Sequence, residues 1–377
     1  MKKTNPKIIK ILIFALLLTF GSISHLLSEK AIKIDNSTML TIEGLVRSYF
    51  INDQRLQWSG MEITFGAESI LELTLEKEIN KNKISLHTEV FLNQPFNKNI
   101  LAEGRQNYLQ NFEVEPVALK QLYIQYTGKN FCLGLGKHPT VFGKNHSIPF
   151  TNSFFDYPFI RNEAIVNYET GFFFKYLPGI FRFDIAIVNG CENMDTNSSK
   201  AGIARIGIET KNLKTGLSIK AQDGIGSEWQ KQYNNHVGFD LALTMGNFII
   251  SAEIIYDQYG FHKEFDINDV FWGRSYYYRD IFYQYKTPVK GLGGYLDIQY
   301  KTKNFFLELN YGEYYPQKIN ILLHDDPIKR LIVKSRINLT KDLFIYALGL
   351  FENKRDKESL FKGASDYGFL FGLWYSL

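Results

Sequence analysis

Cysteine is nearly absent from this chain of 377 residues: there are two, Cys132 and Cys191. That excludes a disulfide-built scaffold and a cysteine-rich metal site. Proline is scarce as well, at ten residues. No proline is expected inside a run of alternating hydrophobicity: Pro6 falls near the N-terminus, and Pro95, Pro116, Pro139, Pro149, Pro158, Pro178, Pro288, Pro316 and Pro327 fall between runs. Past residue 24 no apolar stretch is long enough for a transmembrane helix, which excludes a helical membrane bundle. It does not exclude a β-barrel, whose strands mix apolar and polar residues. A charge excess is also missing. Residues 1–24 hold four lysines and no acid, so the remainder has 43 − 4 = 39 basic residues against 39 acidic ones. The basic character belongs to the N-terminus, and no nucleic-acid partner is expected.

What is present begins with an export pattern. Lys2, Lys3, Lys7 and Lys10 precede the ten-residue apolar run Ile11 to Phe20, and Ser22-Ile23-Ser24 offers a small-x-small cleavage site. Residues 1–24 read as a signal peptide, 25–38 as a short periplasmic lead-in, and 39–377 as one domain.

That domain alternates with period two. Strands are predicted at 39–50, 60–77, 83–93, 117–127, 130–137, 165–176, 180–189, 201–211, 214–223, 234–245, 247–257, 290–301, 305–312, 328–339, 342–352 and 365–377. Long and short connections alternate strictly between them. An up-and-down barrel in an outer membrane has this asymmetry, with short turns in the periplasm and long loops outside. The predicted fold is therefore all-β, a transmembrane antiparallel barrel of about 16 strands. The 258–289 connection contains Ser275-Tyr276-Tyr277-Tyr278 and Ile281-Phe282-Tyr283-Gln284-Tyr285, and two further strands there would make 18.

Faces separate cleanly. Ile84, Leu86, Thr88, Val90 and Leu92 oppose Ser85, His87, Glu89 and Asn93, and Phe181, Phe183, Ile185 and Ile187 oppose Arg182, Asp184 and Ala186. Tyr126, Tyr176, Tyr300 and Tyr375 are expected at the periplasmic interface, and Tyr49, Phe91, Tyr256, Tyr311 and Phe351 at the external one. Cys132 should follow a periplasmic turn and Cys191 should lie outside, beyond the reach of a disulfide.

The chain end, Gly372-Leu373-Trp374-Tyr375-Ser376-Leu377, resembles the assembly signal of bacterial outer-membrane barrels, with Gly372, Tyr375 and Leu377 at the signal positions. Leu370 stands where that pattern usually has a polar residue. The stretch Gly134-Leu135-Gly136-Lys137-His138-Pro139-Thr140-Val141-Phe142-Gly143-Lys144, returning at Tyr168-Glu169-Thr170-Gly171, is similar to porins of the phosphate-selective type. Gly293 to Asp297 and Asn310 to Pro316 resemble porin-like outer-membrane proteins. The resemblance implies an outer-membrane location in a Gram-negative-type cell, lipid and the barrel-assembly machinery as partners, and a homotrimer as an assembly this layout allows. It also implies a third long loop, about 138–164, folded inward, which would place Lys144, His146, Asp156, Arg161 and Glu163 at a constriction. Arg161 is the loop's best cation for sorting ions, with Lys144 next.

Charge on the polar face is mixed. Candidate wall cations are Arg182, Arg205, Lys220, Arg330, Lys334 and Arg336, besides Arg47, Lys175 and Lys301. They share the face with Glu43, Glu72, Glu89, Glu169, Asp184, Glu209, Asp240, Glu253, Asp297 and Glu308. Without a preponderance of Lys and Arg, phosphate specificity does not carry over. Enzyme signals are poor. Gly134-Leu135-Gly136-Lys137 lacks phosphate-loop spacing, and His138 and His146 alone do not make a metal site. No catalytic residue, metal or cofactor is expected. The reading is a porin passing small hydrophilic solutes or ions. The alternatives are a non-conducting structural or adhesin barrel and, behind it, an outer-membrane hydrolase.

Overall fold

The computed structural model describes residues 30–53, 63–94, 115–144, 158, 160–161, 168–190, 200–222, 232–261, 289–316, 328–353 and 367–376. Seventeen strands run in chain order: β1 (Lys30–Lys33), β2 (Thr38–Asp53), β3 (Ile63–Ile79), β4 (Asn82–Gln94), β5 (Glu115–Thr127), β6 (Phe131–Pro139), β7 (Tyr168–Tyr176), β8 (Phe181–Val188), β9 (Ala201–Glu209), β10 (Leu213–Ala221), β11 (Gln232–Met245), β12 (Phe248–Phe261), β13 (Val289–Lys301), β14 (Phe305–Pro316), β15 (Ile328–Asn338), β16 (Leu343–Asn353) and β17 (Tyr367–Ser376). From β2 onward each strand pairs antiparallel with the next, and β17 pairs with β2, as in Tyr375↔Val46 and Gly372↔Tyr49. Sixteen strands therefore close a barrel, and β1 is additional. The signal region 1–24, Cys191, Leu377 and the 262–288 segment lie outside the described residues.

Closure follows from the alternation. Every backbone N–H and C=O of a spanning strand needs a partner away from water, and a ring supplies one on both edges. The outward positions are apolar and exposed: Ile187 is 64% exposed, Leu135 60% and Ile254 54%. Such a belt is stable only against hydrocarbon, so this is an outer-membrane barrel. Tight turns lie at one rim. Gly128 N–H donates to Phe131 O, Thr210 N–H to Leu213 O and Thr302 N–H to Phe305 O.

Two expectations need correction. Pro116, Pro139 and Pro316 lie within strands, each at or one residue from an end, where a missing donor interrupts the ladder least. Tyr49 and Phe91 are not girdle residues. They occupy inward positions and are buried, because their parity matches Arg47 and Glu89. The lead-in contributes a short strand. β1 pairs with Met39–Ile42 of β2, on the edge that β17 leaves uncovered below Leu45. The intervening turn is held by Asp35, whose carboxylate accepts from Ser37 N–H at 2.7 Å, Ser37 Oγ at 2.9 Å and Thr38 Oγ1 at 2.9 Å. These donors, the Ser37 backbone first, hold its carboxyl down to about 2.

Candidate pore and its constriction

All six candidate wall cations occupy inward positions, and five of them meet carboxylates. Arg330 directly opposes Glu352 on β16, with Nη2 2.6 Å from the carboxylate, and Lys334 opposes Glu308 on β14 at 2.7 Å. Arg205 reaches across β10 to Asp240 with two nitrogens, at 2.7 and 3.1 Å. Its path lies over Gly216, where a Cβ would stand 2.7 Å from the guanidinium carbon. Lys220 pairs with Glu169 at 2.5 Å, and Thr140 Oγ1 donates to the same carboxylate at 2.9 Å. Arg182 contacts Asp184 at 2.8 Å and Glu209 at 2.5 Å. Most of these groups are buried, and a buried charge is tolerated only with such a partner. The sixth, Arg336, sits among aromatic rings.

The third long connection enters the barrel. Thr140 to Lys144 leave the end of β6, and Pro158, Ile160 and Arg161 lie before β7. Both pieces rest on the wall from β10 to β14. Gly143 N–H donates to Ser218 Oγ on β10 at 2.9 Å. The Phe142 ring lies over Gly238 on β11, Ile160 over Gly293 on β13, and Pro158 over Gly312 on β14. In the ring of sixteen, β14 is eight strands from β6, so the connection spans the lumen. Gly238 and Gly293 make room for it. A Cβ would stand 2.8 Å from the Phe142 ring at Gly238 and 2.6 Å from Ile160 at Gly293. Gly143 itself has φ +65, and a Cβ there would collide with Glu253.

Arg161 clasps this arrangement. Its Nε lies 2.9 Å from Glu253 Oε2 on β12, and its Nη2 donates to Phe142 O at 3.1 Å and Lys144 O at 2.5 Å. One guanidinium thereby joins both ends of the loop to the wall. Tyr295 Oη donates to Glu253 at 3.0 Å, and the Lys144 backbone N–H donates to the same carboxylate at 3.4 Å. Lys144 Nζ reaches Ser251 Oγ at 2.5 Å and Asp297 at 3.5 Å. Of the five residues expected at the constriction, Lys144 and Arg161 are brought together here. His146, Asp156 and Glu163 lie outside the described residues. Arg161 is only 1% exposed, so it is a buried fastener where a water-facing ion sorter was expected.

Opposite runs an acidic row. Glu43, Glu72 and Glu89 are in register on β2, β3 and β4, followed by Gln121 on β5. Gln121 donates to Glu89. The register shifts between Glu89 and Val90, so Lys120 is an extra residue in β5; its Nζ lies 5.5 Å from the Phe91 ring. A bulge redirects a side chain in this way, and plain alternation could not reveal Lys120. Nearby, His87 stacks on Tyr123 at 4.6 Å, and His138 packs on Phe173 at 4.5 Å.

Accessibility of the inner face has a direction. Glu209, Ala242, Gln299 and Phe306, close to the short turns, are partly exposed, whereas Arg205, Asp240, Asp297 and Asn310, higher on the same strands, are buried. Along β3 to β5 exposure reaches further, through Thr74, Glu72, His87, Tyr123 and Gln121. Between β15 and β2 the inner face carries an apolar cluster beside the charged residues Arg330, Lys334, Glu352 and Arg47. Tyr49, Ile332, Tyr346, Leu348, Leu350 and Leu370 form one buried cluster. This explains Leu370: its direct neighbour across β16 is Leu348, and it has no call for a polar side chain. Gly372 of the end motif admits the Tyr346 ring, where a Cβ would stand 2.8 Å from it. Sequence reasoning missed this cluster: it expected Tyr49 in the external girdle and a polar residue in place of Leu370. The informative signals were Phe142 and Ile160 of the third connection and the inward glycines Gly238 and Gly293 that face them.

No family model matches the sequence, and neither does any curated protein. Solved structures do share the fold. The outer-membrane channel DcaP of Acinetobacter baumannii superposes with a TM-score of 0.62 at 12% identity, covering 92% of this chain and 99% of that one. The anion-selective porin of Comamonas acidovorans gives 0.61 at 12% identity, covering 90% and 100%. The trimer form of OmpT from Vibrio cholerae gives 0.60 at 10% identity, covering 91% and 100%. With its sixteen-stranded ring, apolar outer belt and inward third loop, this chain has the fold of the bacterial outer-membrane porins.

Proposed function

We propose that this protein is a passive channel for small hydrophilic solutes or ions and carries no catalytic activity. One observation carries the reading. A long connection crosses the barrel and is clasped to the far wall by Arg161, while the β3 to β5 wall opposite keeps partly exposed polar side chains. An arrangement that fastens a loop across a charged lumen suits a passage that must be narrowed without being sealed. The third-loop residues Lys144 and Arg161, with His146, Asp156 and Glu163, define the constriction in this reading. Hydrocarbon surrounds the belt, the assembly machinery recognises Gly372, Tyr375 and Leu377, and three copies associate side by side. The leader of residues 1–24 is removed, so the mature protein begins after Ser24.

Purified protein in planar bilayers should show discrete, salt-dependent conductance steps. Complete silence would instead support the non-conducting barrel, which the apolar cluster between β15 and β2 favours. Orientation has its own test. In a Cys132→Ser, Cys191→Ser background, cysteine at Asp195 or Asn320 should react with an impermeant maleimide on intact cells. Cysteine at Lys129, Asn212 or Lys303 should react only after permeabilisation. Equal labelling of both sets would remove the assigned topology.

A further inference from the structure

Arg336 differs from the other five wall cations. No ion pair or hydrogen bond joins it to another described residue, and its Nε is buried without a hydrogen-bond partner. Three rings surround its guanidinium carbon: Phe344 with its centroid at 4.8 Å, Trp374 at 5.6 Å and Phe306 at 5.8 Å. The guanidinium of Arg47 lies 5.7 Å from the same indole. Phe344 meets Trp374 edge to face, with centroids 6.1 Å apart. Phe306 and Phe344 are the second residues of β14 and β16, and Arg336 and Trp374 are third from the ends of β15 and β17. The group therefore lines the periplasmic mouth, where Arg336, Phe306 and Trp374 are partly exposed.

Aromatic faces attract a guanidinium but offer its N–H groups no in-plane acceptor. A carboxylate matches the planar fork of arginine, and the surrounding rings would take an apolar ring by stacking. We propose that this cluster is a binding site for small aromatic carboxylates entering or leaving the pore, with Arg336 holding the carboxylate and Phe306, Phe344 and Trp374 holding the ring. The site deepens the channel reading by naming a solute class, but binding in detergent does not require conduction.

The test is isothermal titration of the refolded, detergent-solubilised full chain with benzoate, acetate and benzamide. Benzoate should bind, and acetate and benzamide should each bind at least about tenfold more weakly, since each lacks one half of the recognition. Arg336→Gln should weaken benzoate about tenfold, the scale of a lost charge-assisted contact, and Arg336→Lys should fall between. Folding of each variant is checked by its heat-modifiable migration. A folded Arg336→Gln that binds benzoate like the parent overturns the site, as does acetate binding equal to benzoate. Should Arg336→Gln fail to refold, Phe306→Ala decides: weaker benzoate with unchanged acetate supports the site, and unchanged benzoate overturns it. Benzoate binding by a chain that does not conduct would sink the channel reading and leave the site standing.

Discussion

Arg161→Ala is expected to raise single-channel conductance at least about twofold, because a loop that crosses the lumen loses its fastening to the wall. The guanidinium joins Phe142 O, Lys144 O and Glu253, and no other described side chain links both ends of the loop to β12. Its removal leaves Glu253 buried with Tyr295 as the remaining side-chain partner named above, at a cost of about 3–5 kcal/mol for breaking a buried pair from one side. Lysine should not restore the closed state, since a single ammonium cannot reproduce the planar fork. Lys144→Ala should do less, because its side chain is 19% exposed and its Asp297 contact is 3.5 Å. Any shift in ion selectivity should depend weakly on salt, as Arg161 and Glu253 are shielded from water and screening acts on exposed charge. Conductance equal to the parent in planar bilayers would show that the clasp does not hold the constriction.

Leu370→Asn is expected to destabilise the barrel by on the order of 4 kcal/mol, the sum of a lost core side chain and a buried amide without partners. The substitution restores the polar residue common at this place in outer-membrane barrel ends. In a wide, wet lumen it would be nearly neutral. Here Leu370 is fully buried among Leu348, Leu350, Tyr346, Tyr49 and Ile332. Urea unfolding in detergent micelles, followed by tryptophan fluorescence, measures the difference. Leu373→Asn would serve poorly as a control, because it changes the lipid face. Glu43→Gln, on the exposed part of the acidic row, should shift the midpoint little. A midpoint for Leu370→Asn within error of the parent would mean that the cluster contributes nothing to stability.

Sequence alone determined the ring. Period-two alternation decides which side chain faces lipid, and it assigned Glu169, Arg205, Lys220, Glu253 and Arg336 to the inner face correctly. A one-residue slip would have reversed every face, so the strands had little freedom of register. Alternating long and short connections set the number of strands. Parity, however, says only that a residue points inward. It cannot say what that residue meets there, because contacts across a lumen join positions far apart in the chain. Lys220 meets Glu169, 51 residues away, and Lys144 meets Ser251, 107 residues away. Only the tertiary structure decided that Arg161 is a buried clasp, that Lys120 is turned inward by a bulge, and that Tyr49 and Leu370 belong to an apolar cluster within the lumen. The clasp depends on barrel closure, which brings strands from opposite sides of the ring within reach of the same loop; the bulge and the cluster depend on the register of neighbouring strands, which alternation alone does not give.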